Sequence, residues 1–96
     1  MSENESLLRR LLTIVANVLV VFAIAEAARL VVLFFGVLAD SGLGELVVRV
    51  TDPITIPFSL DPITTPYGGV FDIDTALTAV TFLLLEWVAT AVRPRV

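Results

Sequence analysis

Apolar residues fall along this chain in two long blocks separated by a polar, proline-marked middle. Residues 11–39 read LLTIVANVLVVFAIAEAARLVVLFFGVLA, with charge only at Glu26 and Arg29. Residues 75–92 read TALTAVTFLLLEWVATAV, interrupted only by Glu86. A bilayer-spanning helix needs about 20 mostly apolar residues, so the first block has length to spare and the second is close to the minimum. Between them, Ser41-Gly42-Leu43-Gly44 breaks the first helix. The stretch ELVVRVT that follows is too short to span and predicts a short interfacial helix. Asp72 and Asp74 stand ahead of the second block, where either suits a helix cap, and Pro94 closes its far end. The predicted fold class is an all-α membrane protein. It is a two-span transmembrane helical hairpin with a structured Pro-rich extracytoplasmic loop and a short interfacial helix. The whole chain, 1–96, forms one membrane domain: first span 11–39, outer loop 40–72, second span 73–92.

Composition supports that reading. Hydrophobic residues make up 57% of the chain and charged residues 17%, where soluble domains run about 45–50% and about 25%. Arg9-Arg10, an apolar run and Ala23-Ile24-Ala25 imitate a cleaved secretory signal, but the apolar segment continues well past Arg29, which favours a retained span. Arginines flank the spans at Arg9, Arg10, Arg93 and Arg95, whereas the loop holds only Arg49 beside Asp40, Glu45, Asp52, Asp61 and Asp72. The positive-inside tendency therefore predicts a multi-pass protein of the inner or plasma membrane with both ends in the cytoplasm.

The loop repeats itself. DPITIPF at residues 52–58 returns as DPITTPY at residues 61–67. Proline fixes its own φ and pushes the preceding residue toward extended geometry, so Pro53, Pro57, Pro62 and Pro66 predict two similar stiff arms with Ser59-Leu60 as the bend. On this reading Asp52, Thr55 or Ile56, Asp61 and Thr65 are held out of the helical basin. Phe58 and Tyr67 suit the headgroup level. The phrase serves either as a structural lid or as a partner contact through Asp52, Pro53, Pro57, Phe58, Asp61, Pro62, Pro66 and Tyr67. The spacing of Asp52 and Asp61 lacks the ligand pattern of a calcium site.

Charges within apolar spans are costly and usually paired. At ~1.5 Å per residue, Arg29 lies ~15 Å and Glu26 ~20 Å below Ala39, and Glu86 ~18 Å below Asp74. With Ala39 and Asp74 at one height, Glu26, Arg29 and Glu86 share a layer, which permits an Arg29–Glu86 bridge with Glu26 as second acceptor. Such a cluster reads either as a device fixing helix register or as part of a proton or ion path. Alanines at 23, 25, 27 and 28, and at 76, 79 and 89, allow close helix approach. Two helices enclose little, so a homo-oligomer or a larger membrane complex is expected alongside lipid.

Three stretches, ARLVVLFFGV, LVVRVTDPITIPF and GGVFDIDTALTAVTFLLLEWV, in this order resemble one unit of the YggT/YlmG family of small bacterial and plastid membrane proteins. Arg29, Thr51, Pro53, Pro57, Gly69 and Asp72 match the family pattern, and Glu86 falls where the family tends to carry a polar residue. The chain departs from it at Phe58-Ser59, where Arg usually follows the second proline, and in having a second proline phrase. The resemblance implies a non-enzymatic envelope protein linked to cell division, membrane-complex assembly or osmotic tolerance.

Other function classes lack their residues. The net charge of -4 opposes nucleic-acid binding. With no His or Cys, and with all six basic residues Arg, the chain offers no nucleophile–base pair, and no cofactor, metal or small-molecule site is evident. The expectation is a scaffold or assembly protein. The alternatives are an accessory subunit of a respiratory or photosynthetic complex and, third, an oligomeric ion-path component.

Overall fold

The computed structural model describes residues 3–92. Arg93, Pro94 and Arg95 lie outside the described residues, and with them the predicted proline stop and the C-terminal arginine flank. The chain is mostly helical: α1 is Glu3–Phe34, α2 Gly36–Ala39, α3 Gly42–Thr51 and α4 Ile73–Val92. A 3-10 turn at Asp52–Ile54 follows α3, and a two-stranded antiparallel hairpin, β1 Ile63–Thr64 and β2 Val70–Phe71, precedes α4. Helices α1 and α4 are long and apolar enough to cross a membrane.

The first apolar block is not one helix to residue 39. Phe35 adopts extended backbone and bridges to Gly68, and the Gly36 N–H donates to Tyr67 O at 3.1 Å. This contact turns the chain because Gly69 lies against the last turn of α1, where a Cβ would overlap the carbonyl oxygens of Leu33 and Phe34. Gly68, at φ 78°, takes the left-handed conformation that glycine adopts without strain. Phe34, Phe35 and Tyr67 close over the junction with ring centroids 5.0–5.6 Å apart.

Helices α1 and α4 run antiparallel. Phe22 faces Phe82 with centroids 5.6 Å apart, and Arg29 bonds Thr75, so seven residues up one helix match seven down the other. Buried Ala16, Ala23 and Ala89 let the backbones approach along this seam. Helix α3 folds back beside the upper half of α1. Ser41 caps it by accepting the Gly44 N–H at 3.0 Å, and a Cβ at Gly44 would overlap Leu38 O.

The doubled phrase is not doubled in space. Its first copy forms the 3-10 turn and a short extended run, and its second forms β1 and a turn. Asp52, expected outside the helical basin, has φ -49° and ψ -48°. Pro53 sits in the first turn of the 3-10 helix, where a missing N–H costs nothing. Asp52 is held in the helical basin by its N–H donating to Val48 O and its carboxylate pairing with Arg29, against the steric bias that a following proline imposes. The two strands also make the loop more than the all-α class predicted.

Candidate functional site

Arg29 is the meeting point of three segments. Its Nε donates to Thr75 Oγ1 at 3.0 Å on α4. Its Nη1 donates to Val48 O at 3.1 Å and Thr51 Oγ1 at 3.0 Å on α3, and to Asp52 Oδ1 at 2.5 Å. Asp72 Oδ2 lies 4.0 Å from Nε and accepts the Thr75 hydroxyl at 2.5 Å. The guanidinium fork suits this task because its donors diverge in a fixed plane. The position is also favourable electrostatically. Val48 O belongs to the last turn of α3, the negative end of that helix, while Asp72 and Thr75 stand between the cation and the positive end of α4.

Glu26 lies one turn below and is 0% exposed. Both of its oxygens are within reach of the Thr55 hydroxyl, at 2.8 and 3.1 Å, and that hydroxyl also lies 2.9 Å from Thr51 O. The loop is carried down to this level by Thr78. Its hydroxyl accepts the Ile56 N–H at 2.9 Å and donates to Asp74 O at 2.7 Å. Thr75 and Thr78 are both 0% exposed.

Two further clamps hold the remaining loop. The Asp74 carboxylate accepts the N–H groups of Ser59 and Leu60, each at 3.2 Å, and Ser59 is in the left-handed region at φ 63°. Thr65 donates to Phe34 O at 2.8 Å, tying the second copy of the phrase to the end of α1. Asp72 directly precedes α4 as predicted for a cap, but its carboxylate binds the Thr75 side chain. Asp74 lies inside α4 and grips the loop, contrary to its predicted capping role.

The predicted layer of three charges does not form. Glu86 accepts the Thr90 hydroxyl at 3.0 Å, within its own helix, and Arg29 is ion-paired to Asp52 and Asp72. The register is the reason: Glu86 is level with Val18, eleven residues and ~16 Å along α1 from Arg29. Asp74 stands level with Leu30 instead of Ala39, because the helix ends at Phe34 and the loop packs back on α1.

Of the predicted loop contacts, Asp52, Pro53, Pro57, Phe58, Asp61, Pro62, Pro66 and Tyr67 are all exposed, and Asp52 alone joins the Arg29 network. Sequence alone assigns Thr51 only through the family resemblance and Thr55 only as an extended loop position. It gives neither of them, nor Thr75 or Thr78, a place beside the charges that their hydroxyls complete. A signal exists for two of them, Thr51 and Thr75, in the threonine beside each acidic helix boundary, Thr51-Asp52 and Asp72-Ile73-Asp74-Thr75. Chemically the arrangement is a set of internally satisfied polar ties: among the described residues, no buried side-chain nitrogen or oxygen lacks a partner. No protein-family model matches the chain, and no curated protein or solved structure matches it either.

Proposed function

We propose that this chain is a two-span membrane protein with a scaffold or assembly role, built along YggT-like lines, that works through a rigid cap, the folded segment 35–72 between α1 and α4, and the outer faces of its helices. The observation that carries this reading is the Arg29 network, which joins α1, α3, the 3-10 turn and α4 through side chains that satisfy one another. Polar groups used in this way fix a shape. The cap so held offers Pro57, Phe58, Leu60, Pro62 and Ile63 to the outside as a stiff, half-apolar surface. The arginine distribution supports cytoplasmic ends and an outward cap in an inner or plasma membrane. An ion-path role draws little support from Glu86 standing ~16 Å from the Glu26–Arg29 level.

The test is purification in mild detergent, with mass determination and identification of everything that accompanies the chain. Association of the cap with specific envelope proteins, weakened by Pro62→Ala with Pro66→Ala while insertion is unchanged, is the expected result. Fixed stoichiometry within one large respiratory or photosynthetic complex would make it an accessory subunit. A homo-oligomer that conducts ions and loses conductance on Glu86→Gln would overturn the scaffold reading.

A further inference from the structure

In a two-span protein, as proposed above, the bilayer fixes the height of the cap. Helix α4 has 20 residues, ~30 Å of rise against a hydrocarbon core of about 30 Å, so its ends fall at the two edges of that core. Thr78 is five residues into α4, ~7 Å below the edge. The Ile56 amide is bonded to it, and Thr55 reaches Glu26 at the same level. On that reading Thr55 and Ile56, which follow α3 and belong to no membrane-spanning helix, lie below the edge of the hydrocarbon, with Asp52 at the edge itself.

We infer that the lower end of α3 and the first Asp-Pro-Ile-Thr phrase form a re-entrant segment that dips into the outer leaflet and lays Leu46 and Val50 against lipid acyl chains. Non-helical backbone survives at such depth only where its polar groups are satisfied by protein. Here the Thr55 N–H donates to Thr51 O at 3.0 Å, the Ile56 N–H to Thr78 Oγ1 and the Phe58 N–H to Ile56 O at 3.1 Å, while Pro53 and Pro57 have no N–H to satisfy.

The faces of α3 agree with this placement. At 100° per residue, Gly44, Val48 and Thr51 share the side turned to α1, and Leu43, Leu46 and Val50 share an outer apolar side. Leu46 is 51% and Val50 60% exposed. Glu45 and Arg49 lie on the remaining side and line a separate cleft with Asp52. Between α1 and the apolar side of α3 runs an open groove of about 250 Å³ lined by Ala25, Ala28, Leu46, Val47, Val50 and Thr51, with no polar surface. That groove continues the exposed apolar stripe of α1 at Val21, Ile24 and Val31. One solvent covers the whole stripe, and on the two-span reading that solvent is acyl chain.

The chain has no cysteine, so single-cysteine variants carry one nitroxide label each. Labels at Leu46→Cys, Val50→Cys and Asp61→Cys are read in phosphatidylcholine–phosphatidylglycerol vesicles against oxygen and a water-soluble nickel chelate. Val21→Cys and Leu84→Cys serve as span controls. Higher collision rates with oxygen than with nickel at 46 and 50, as at 21 and 84, and the reverse at 61, are expected. Nickel-dominated collisions at 46 and 50 with oxygen-dominated controls would overturn the re-entrant segment alone. Low collision rates with both reagents at 46 and 50 would overturn the lipid contact in favour of a protein neighbour. Nickel-dominated collisions at 21 and 84 as well would overturn the two-span reading itself.

Discussion

Arg29 shows why one cationic side chain cannot stand in for another. Its side chain is 12% exposed while that of Asp52 is 60% exposed, so the pair is desolvated on one side only and draws its value from geometry more than from charge. The ammonium of a lysine is a single point and cannot serve Thr75 on one flank and Val48, Thr51 and Asp52 on the other. Arg29→Lys is therefore expected to cost about 1.5–3 kcal/mol, the value of a hydrogen bond involving a charged group, read as a lower midpoint in thermal unfolding in detergent. The repeated phrase supplies an internal comparison. Thr55 and Thr64 hold equivalent places in the two copies, yet Thr55 reaches buried Glu26 and Thr64 is exposed on β1. Thr55→Val should lose about 1–3 kcal/mol by stranding the carboxylate, whereas Thr64→Val should stay within about 0.5 kcal/mol. Equal effects in the two copies would mean that the Glu26 contact contributes nothing.

Among the elements, the helices were legible and the turns between them were not. Apolar block length predicts α1 and α4, and ELVVRVT predicts the body of α3, but Ser41-Gly42-Leu43-Gly44, which reads as a break, caps and opens that helix. What the sequence hid was the way a turn is finished by a distant partner. Phe35 leaves the helix because Gly68 pairs with it across the loop, and no local propensity at Phe35 announces that. Likewise Pro53 reads locally as an extended arm, and the neighbouring α3 makes it the start of a 3-10 turn. Glycines carry much of this hidden geometry, but unequally. A Cβ at Gly69 meets backbone that cannot yield, so Gly69→Ala should cost about 1–3 kcal/mol by lifting the strand hairpin off α1. Gly42 opens α3 with nothing near its missing Cβ, and Gly42→Ala should stabilise by about 0.4–1 kcal/mol. Thermal unfolding of the two variants side by side separates packing from chain entropy.

At the scale of the whole molecule, one quantity decided which candidate residues meet: the register of α1 against α4. The sequence left it open because two apolar helices carry few polar markers of relative height, and equal heights for Ala39 and Asp74 was the simplest assumption. Folding α3 back along α1 breaks that symmetry. It brings Asp52 and Thr55 to the level where Glu86 was expected, and the loop supplies the partners that the second helix does not. The two registers make opposing predictions for covalent trapping. In the observed register Phe22 faces Phe82, while Ala91 is level with Thr13, nine residues and ~13 Å away. With Ala39 and Asp74 at one height, Phe22 would instead face Ala91. In a chain without native cysteines, a short bis-maleimide should cross-link Phe22→Cys with Phe82→Cys within one molecule and leave Phe22→Cys with Ala91→Cys unlinked. The opposite pattern would return Glu86 to the level of Arg29 and dissolve the argument that the cap, not the second helix, neutralises the charge on the first.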